Sequence, residues 1–570
     1  MIIIKKIIYI TLFCSTFLFL NIFILKNDTN NFAKIPILND GRVKTLNCFL
    51  KSHLHDILNV KLIELPNIFA KIIFDFDIFS DLTLFKIINQ NLLLNFDIKL
   101  TDNNLYSFNN IMIGLFKNID TINILLKMNY FDLNDTQKQM LNLYNKINLI
   151  LNFKTQFHLF NSISKTGYTN YDKIIANKNN ANFYNNNKDI NSIFYIVKID
   201  KINWIDFNTQ LNLNDTTLLE NLNIINNMAK TFRNKDDVSW NAACTCYLNL
   251  IKQQLSIHDR VLIYFEHLYS KINLVQLAFY IYILSFMIYV YMLVCKHLWR
   301  YFNTVFNYSF YVGILFSIFD IFVRFIISGR PPVTNLYESI IFVNVIYSIC
   351  LLIYIEKFKY KFNLLIPLFF LLIFQCIAYN YNYGDEIKNL TSVLNTSFWL
   401  VTHVITITIG YALCLIVSIL AHVYFFYKFF SVNINKNFIF FKILNFLTII
   451  ALVFIIFGTI LGGVWADQSW GRFWGWDPKE NGAMLVVLWL ILVLHLKIVN
   501  KNDIWFSVGL IFTSIIVLLS WFGVNMLNVG LHSYGFTDKI GLWLLLFAGF
   551  ECLYVFLILI LFKNKIYLHY

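Results

Sequence analysis

The chain has 570 residues, 58% of them hydrophobic and only 14% charged, with a mean hydropathy of +0.59. That balance excludes an ordinary soluble fold and reads as a protein that crosses a membrane many times. The net charge of +13 would suit nucleic acid or anionic lipid, but the basic residues sit in loops between apolar runs, so no nucleic-acid partner is expected and membrane lipid is the natural surrounding.

The first apolar run, MIIIKKIIYITLFCSTFLFLNIFIL, is long and lacks a small-residue cleavage pattern, so residues 1–27 read as an uncleaved transmembrane anchor. Residues 28–268 then form a soluble domain, mostly amphipathic helix by pattern, as in TLLENLNIINNMAKTF. Its stretch ANKNNANFYNNNKDIN reads as loop or disorder. Cys244 and Cys246 form a CxC there, a weak invitation to thiol chemistry; most of the other cysteines lie in apolar runs, where a thiol behaves as a small hydrophobe.

A helix needs roughly 20 apolar residues to cross a hydrocarbon core. Spans are predicted near 7–25, 272–295, 308–328, 338–355, 362–380, 398–427, 441–463, 482–498, 504–524 and 541–562, giving about ten helices and an all-α polytopic membrane protein with a largely helical extracytoplasmic domain between the first two. Asp320 and Arg324 interrupt the third span and are expected to face protein or a polar cavity. Lys5, Lys6, Lys296, Arg300, Lys357, Lys428, Lys497 and Lys563 fall on one side, and the sparser Arg330, Lys388, Arg472, Lys479 and Lys539 on the other. By the positive-inside rule both termini are cytoplasmic and residues 28–268 are outside.

The stretch WADQSWGRFWGWDPKENGA, residues 465–483, then lies on the outer face. Trp465, Trp470, Trp474 and Trp476 crowd into it beside Gly462, Gly463, Gly471 and Gly475. Such a loop suits a large planar apolar ligand, the glycines allowing close backbone approach and the indoles offering apolar faces; a plain aromatic belt is the alternative. Its charges, Asp467, Arg472, Asp477, Lys479 and Glu480, are expected to keep the rim wet. His403, in FWLVTHV, and His532, in NVGLHSYG, lie at the same face, one before and one after the loop in sequence, and could ligate the iron of a macrocycle or serve as structural histidines. His495 sits near the cytoplasmic end of its span, as do His422 and His297. In SGRPPVTNLYES, residues 328–339, Arg330 could pair with a protein or ligand carboxylate, or the segment could simply start a helix capped by Asn335. The chain holds no Walker loop, HExxH or GxSxG.

These pieces together resemble the CcsA (ResC) family of system II cytochrome c biogenesis, within the haem-handling group named for its tryptophan-rich WWD loop. GGVWADQSWGRFWGWDPKENGA resembles the WWD signature, with Asn481 and Gly482 departing from it, and GRPPVTNLYESIIF, FWLVTHV and NVGLHSYG resemble neighbouring family segments. DGRVKTLNCFLKSHL, residues 40–54, and FEHLYSKINLVQLAFYIYILSF, residues 265–286, are similar to segments of the longer members.

The resemblance implies a core at 269–570 with its WWD loop at 462–483. It also implies that haem b is carried across the membrane and presented to the CxxCH thiols of apocytochrome c. His403 and His532 then match the outer axial ligands and His495 an inner one, while Trp465, Trp470, Trp474, Trp476 and Asp477 cradle the ring. The chain itself would supply no acid, base or nucleophile, and would form one subunit of a haem-lyase-type synthase with a separate CcsB (ResB) partner in the bacterial cytoplasmic membrane. His297 or His422 could substitute for the partner's ligand. A polytopic glycan polymerase or sugar transferase, and a non-catalytic scaffold, are the competing functions.

Overall fold

The computed structural model describes residues 30–55, 57–128, 133–161, 194–198, 204–205, 216–295, 299–357, 364–381, 387, 397–430, 434–499, 503–523 and 540–567. The expected anchor, His297, His532 with its NVGLHSYG segment, and ANKNNANFYNNNKDIN lie outside them. The chain divides into two compact units, Leu20–Ile272 and Asn273–Tyr570, the latter together with Met1–Phe19.

After a 3-10 turn at Phe32–Lys34, the first unit has a hairpin, β1 (Pro36–Asn39) and β2 (Arg42–Thr45), closed by Asp40 and Gly41 at φ 50° and 74°. This two-residue turn needs positive φ at both positions, which Asp-Gly supplies. Thr45 caps α1 (Leu46–Leu54), accepting from the Cys48 N–H at 3.3 Å. There follow α2 (Leu65–Phe74), α3 (Phe76–Asp81), β3 (Thr83–Lys86), α4 (Gln90–Asn95), β4 (Leu105–Ser107), α5 (Phe108–Lys117), α6 (Ile119–Leu125), α7 (Asp135–Gln156), α8 (His158–Asn161), β5 (Val197–Lys198), β6 (Trp204–Ile205), α9 (Thr216–Arg233), α10 (Asp237–Gln254) and α11 (Ile257–Lys271).

TLLENLNIINNMAKTF is α9, and it buries Leu218, Leu222, Ile225 and Ala229, one face at helical spacing. The three two-stranded ladders are additions to the expected helical pattern. Phe49, Phe69, Phe153 and Phe194 interlock in the core, with Phe69 edge-on to Phe153 at 5.4 Å. The DGRVKTLNCFLKSHL segment grips α11: Arg42 pairs with Glu266 at 2.9 Å, and Lys51 donates to the Ser270 carbonyl. Cys244 is buried on α10 whereas Cys246, two residues on, is exposed. On a helix two such residues point to different sides, so the CxC pattern makes no joint thiol site.

The second unit is mostly helical over its described residues. It comprises α12 (Leu274–Val294), α13 (Trp299–Ser328), α14 (Leu336–Lys357), α15 (Leu365–Tyr381), α16 (Ser397–Trp399), a π-helical turn at Leu400–Val404, α17 (Ile405–Phe430), α18 (Ile434–Trp470), α19 (Pro478–Val499), α20 (Asp503–Leu518), a second π-helical turn at Leu519–Gly523, and α21 (Ile540–Tyr567). Eight of the described helices are long and apolar enough to cross a membrane, and Leu365–Asn380 is a shorter apolar helix. Each falls on an expected span, and the protein is an all-α multi-pass membrane protein. The span Leu400–Phe426 is the central one, 72% buried, against 11% for Gly541–Ile560.

Asp320 and Arg324 are buried in protein, as the sequence demanded, 3.7 Å apart along α13. Arg324 also lies 3.7 Å from Glu338 at the start of α14, its guanidinium 4.7 Å over the Tyr337 ring.

Candidate functional site

Two connections are built alike. After α13, Gly329 adopts φ +66° and its N–H bonds the Phe325 carbonyl at 2.9 Å; after α18, Gly471 adopts φ +68° and bonds the Asp467 carbonyl at 2.8 Å. Both are left-handed stops that glycine supports without steric cost. Each connection ends in a capped helix. Asn335 accepts from Glu338 N at 2.7 Å, while Glu338 reaches back to the N–H and hydroxyl of Thr334 at 2.9 and 2.7 Å. Asp477 accepts from Lys479 N at 2.9 Å, and Glu480 from the N–H groups of Asp477 and Gly475 at 3.1 and 2.7 Å. This is the logic of a capping box, with Pro478 at the first helical position.

The expectation that the charges merely wet the rim is therefore corrected. Asp477 is 4% exposed, Glu480 is spent on the backbone, and Arg472 lies over Gly475, while Asp467 stays exposed. Arg330 pairs with Glu338 at 3.6 Å and donates to Thr334, so its carboxylate is a protein one, and Asn335 caps as well. The tryptophan-rich segment is also less of a loop than expected: Trp465 and Trp470 are still on α18, and only Gly471–Asp477 connects to α19.

Between these two connections lies a cavity of about 190 Å³. Its walls are Val333–Leu336 and Ser339; Leu400, His403, Val404, Ile407, Thr408 and Tyr411; Thr459, Gly462, Gly463 and Trp465; Trp474; Lys479, Glu480 and Ala483; and Ser520 with Trp521. Both π-helical turns contribute to it, one carrying His403 and the other Ser520 and Trp521. Such turns displace side chains from ordinary helical register and recur at functional sites.

His403 Nδ1 lies 2.8 Å from the Gly458 carbonyl. A carbonyl only accepts, so Nδ1 carries the hydrogen and the lone pair stays on Nε2, the arrangement a metal-binding imidazole needs. The ring lies directly on Gly462, where an added Cβ would come within 2.6 Å of Cε1, and its centroid is 5.7 Å from that of Trp465. Gly463 likewise admits the Phe473 ring. Gly462 and Gly463 thus make room for the protein's own rings beside the cavity, Gly475 for the Arg472 guanidinium, and a Cβ at Gly471 would meet nothing within 4 Å.

The predicted site residues separate into groups. His403, Trp465 and Trp474 line the cavity; Trp476, 70% exposed at φ +56°, stands edge-on to Trp474 at 6.3 Å. Trp470 is not among the cavity's lining residues, and Asp477 is structural. His495 is exposed on α19, twelve residues beyond Ala483 and so about 18 Å along the axis, with Nδ1 bonded to the Ile491 carbonyl at 2.9 Å. His422 has both ring nitrogens engaged, with Ser418 O at 2.8 Å and Glu551 at 2.9 Å. Sequence reasoning missed Tyr411, Ser520 and Trp521 on the wall. It also passed over the Asp-Pro-Lys-Glu capping signature, which was readable.

Residues 333–532 match the family described as cytochrome C assembly protein. The cytochrome c biogenesis protein CcsA of Aethionema grandiflorum is 32% identical over 293 residues, 41% of this chain and 88% of its own length. That of Prochlorococcus marinus is 33% identical over 250 residues, 37% and 78% of the two chains. Protein NrfI of Wolinella succinogenes is 29% identical over 236 residues, and the chain spans 40% of itself but 26% of NrfI in that match. With the family's residues wrapped around a cavity that a tautomer-fixed histidine lines, the chain belongs to the CcsA family of cytochrome c biogenesis proteins.

Proposed function

We propose that this protein delivers haem to apocytochrome c at the cavity between the two outer connections. The observation that carries the reading is His403: it lines the cavity with Nδ1 on the Gly458 carbonyl, which puts the lone pair, and so the nitrogen through which iron would be ligated, at Nε2. The rest of the lining fits the substrate's chemistry. Leu400, Val404, Ile407, Trp465 and Trp474 suit an apolar macrocycle. A cavity of about 190 Å³ is smaller than the roughly 300–1,000 Å³ of an enclosing ligand pocket, which suits a ligand held with one edge outside.

Haem supplies two vinyl groups, across which cysteine thiols add, each forming a C–S bond with the hydrogen going to the neighbouring carbon. The chain's own part is to ligate, orient and shield. His532 is the proposed second outer ligand and His495 an inner one. The exposed face of α19 around His495, with Leu488 and Leu492, supports a separate CcsB-like membrane subunit that covers it. His422, committed on both nitrogens, is not assigned as that partner's substitute. The bacterial cytoplasmic membrane, cytoplasmic termini and an outer domain at 28–268 complete the reading. A sugar transferase would draw on the acidic groups of the outer connections, and Glu338 and Glu480 are instead spent on capping.

Protein purified in detergent with its haem should show a low-spin bis-histidine spectrum. The His403→Ala, His532→Ala double variant should lose that outer-haem signature and the maturation of a co-expressed CxxCH cytochrome. Retention of both would overturn the ligand assignment.

A further inference from the structure

The last span, within α21, is the least enclosed of the eight: 11% of Gly541–Ile560 is buried, and Leu542, Trp543, Leu545 and Phe550 stand exposed. Lipid tails are as apolar as leucine, so apolar contacts alone give such a span little reason to stay on its neighbours. Glu551 is different. It is the one charged residue between 541 and 560, it is 2% exposed, and its Oε2 lies 2.9 Å from Nε2 of His422 on α17. His422 Nδ1 is 2.8 Å from the Ser418 carbonyl, which only accepts, so Nδ1 carries one hydrogen and the contact with Glu551 holds a second. Tyr554, one turn further, lays its ring 4.7 Å from the imidazole. Turning a carboxyl group out to lipid is costly, so this pair, among the described residues, is the polar hold of α21 on the bundle.

Nearer its outer end α21 leans on the second π-helical turn. A Cβ added at Gly523 would lie 3.7 Å from Leu544 Cδ1 and 3.5 Å from Leu519 Cδ2, so this seam is apolar on both sides. The same turn carries Ser520 and Trp521 in the cavity wall. Leu544 and Glu551 are seven residues apart, about 10 Å along the helix, so the pair secures α21 close to the wall that it backs.

We propose that α21 is a side gate of the cavity, latched by the Glu551–His422 pair, and that haem enters from the bilayer between α21 and the second π-helical turn. This rests on the haem reading above and deepens it by naming the route of the substrate. When the gate opens, the contacts along the seam are exchanged for lipid, which costs little, whereas the pair must separate. The pair therefore sets how often the seam stands open.

The test follows the Soret band as the haem-free full chain, reconstituted in phosphatidylcholine vesicles, takes up haem dissolved in the bilayer. Glu551→Leu and His422→Leu should each speed uptake roughly 10-fold, the worth of a hydrogen bond to a charged group, and leave the final spectrum unchanged. Glu551→Gln, whose amide still donates to Nε2, should load at close to the intact rate. Gly523→Cys with Leu544→Cys, bridged by a short linker that reductant cleaves, should load at least 10-fold more slowly until reductant is added. Uptake that both leucine variants leave unchanged or slowed, or a bridged protein that loads as fast as the reduced one, would overturn the proposal. If the leucine variants fail to fold, the bridged protein decides, since it keeps both latch residues. Failure of every form to take up haem, or a spectrum untouched by His403→Ala, would instead count against the haem reading itself.

Discussion

Whether a glycine of this site tolerates a methyl depends on what the methyl meets. At Gly462 a Cβ would lie 2.6 Å from Cε1 of His403 and 3.1 Å from Nδ1, and that ring is held by the Gly458 carbonyl. At Gly475 it would overlap the Arg472 guanidinium, the far end of a flexible side chain that can swing aside. Gly462→Ala should therefore displace His403 and abolish the bis-histidine spectrum while helicity by circular dichroism stays unchanged. Gly475→Ala should leave the bound-haem spectrum as it is. Equal effects at both positions would mean that Gly462 is not a seat for the imidazole. Sequence alone places a glycine-rich run beside the tryptophans, but it does not say whose ring the glycines admit; at Gly462 that depends on His403, far back in the chain on another element.

The two connections share a plan, and their glutamates differ in how much they carry. Glu480 accepts two backbone N–H groups, whereas Glu338 accepts two groups of Thr334 and also stands beside Arg324 and Arg330 at 3.7 and 3.6 Å. Glu480→Gln should cost about 1 kcal/mol, the scale of a capping interaction. Glu338→Gln should cost about 3–5 kcal/mol, because it leaves buried guanidinium groups short of their carboxylate. Thermal unfolding in detergent measures the difference, and similar midpoints for the two variants would contradict it. The capping signatures, the glycine stops and the spans were all legible, since each rests on local chemistry. The two π-helical turns and the reach of α18 through Trp470 were not. They reflect how neighbouring helices pack around the cavity, and no local pattern records that.

At the scale of the whole molecule, the CcsA matches cover about two fifths of the chain, and the Leu20–Ile272 unit has a core of its own. That core runs from Phe32 to Ile263 and interlocks a set of phenylalanines, so residues 28–272 hold the ingredients of independent folding. Expressed alone, this fragment should be helical and unfold in one cooperative transition. Its cysteines provide a finer check. Cys246 is exposed, Cys244 is fully buried with its thiol pushed up to about 12 by desolvation, and Cys48 is raised to about 11 by burial and by the nearby Glu266. Since the thiolate is the nucleophile, a raised value leaves little of it at pH 8. Maleimide should accordingly label Cys246 first, with Cys244 and Cys48 reacting at the same rate only after denaturation. If the folded fragment labels all three alike, either α10 does not bury Cys244 or the unit needs the rest of the chain to fold, and a repeat on the full-length protein separates those two outcomes.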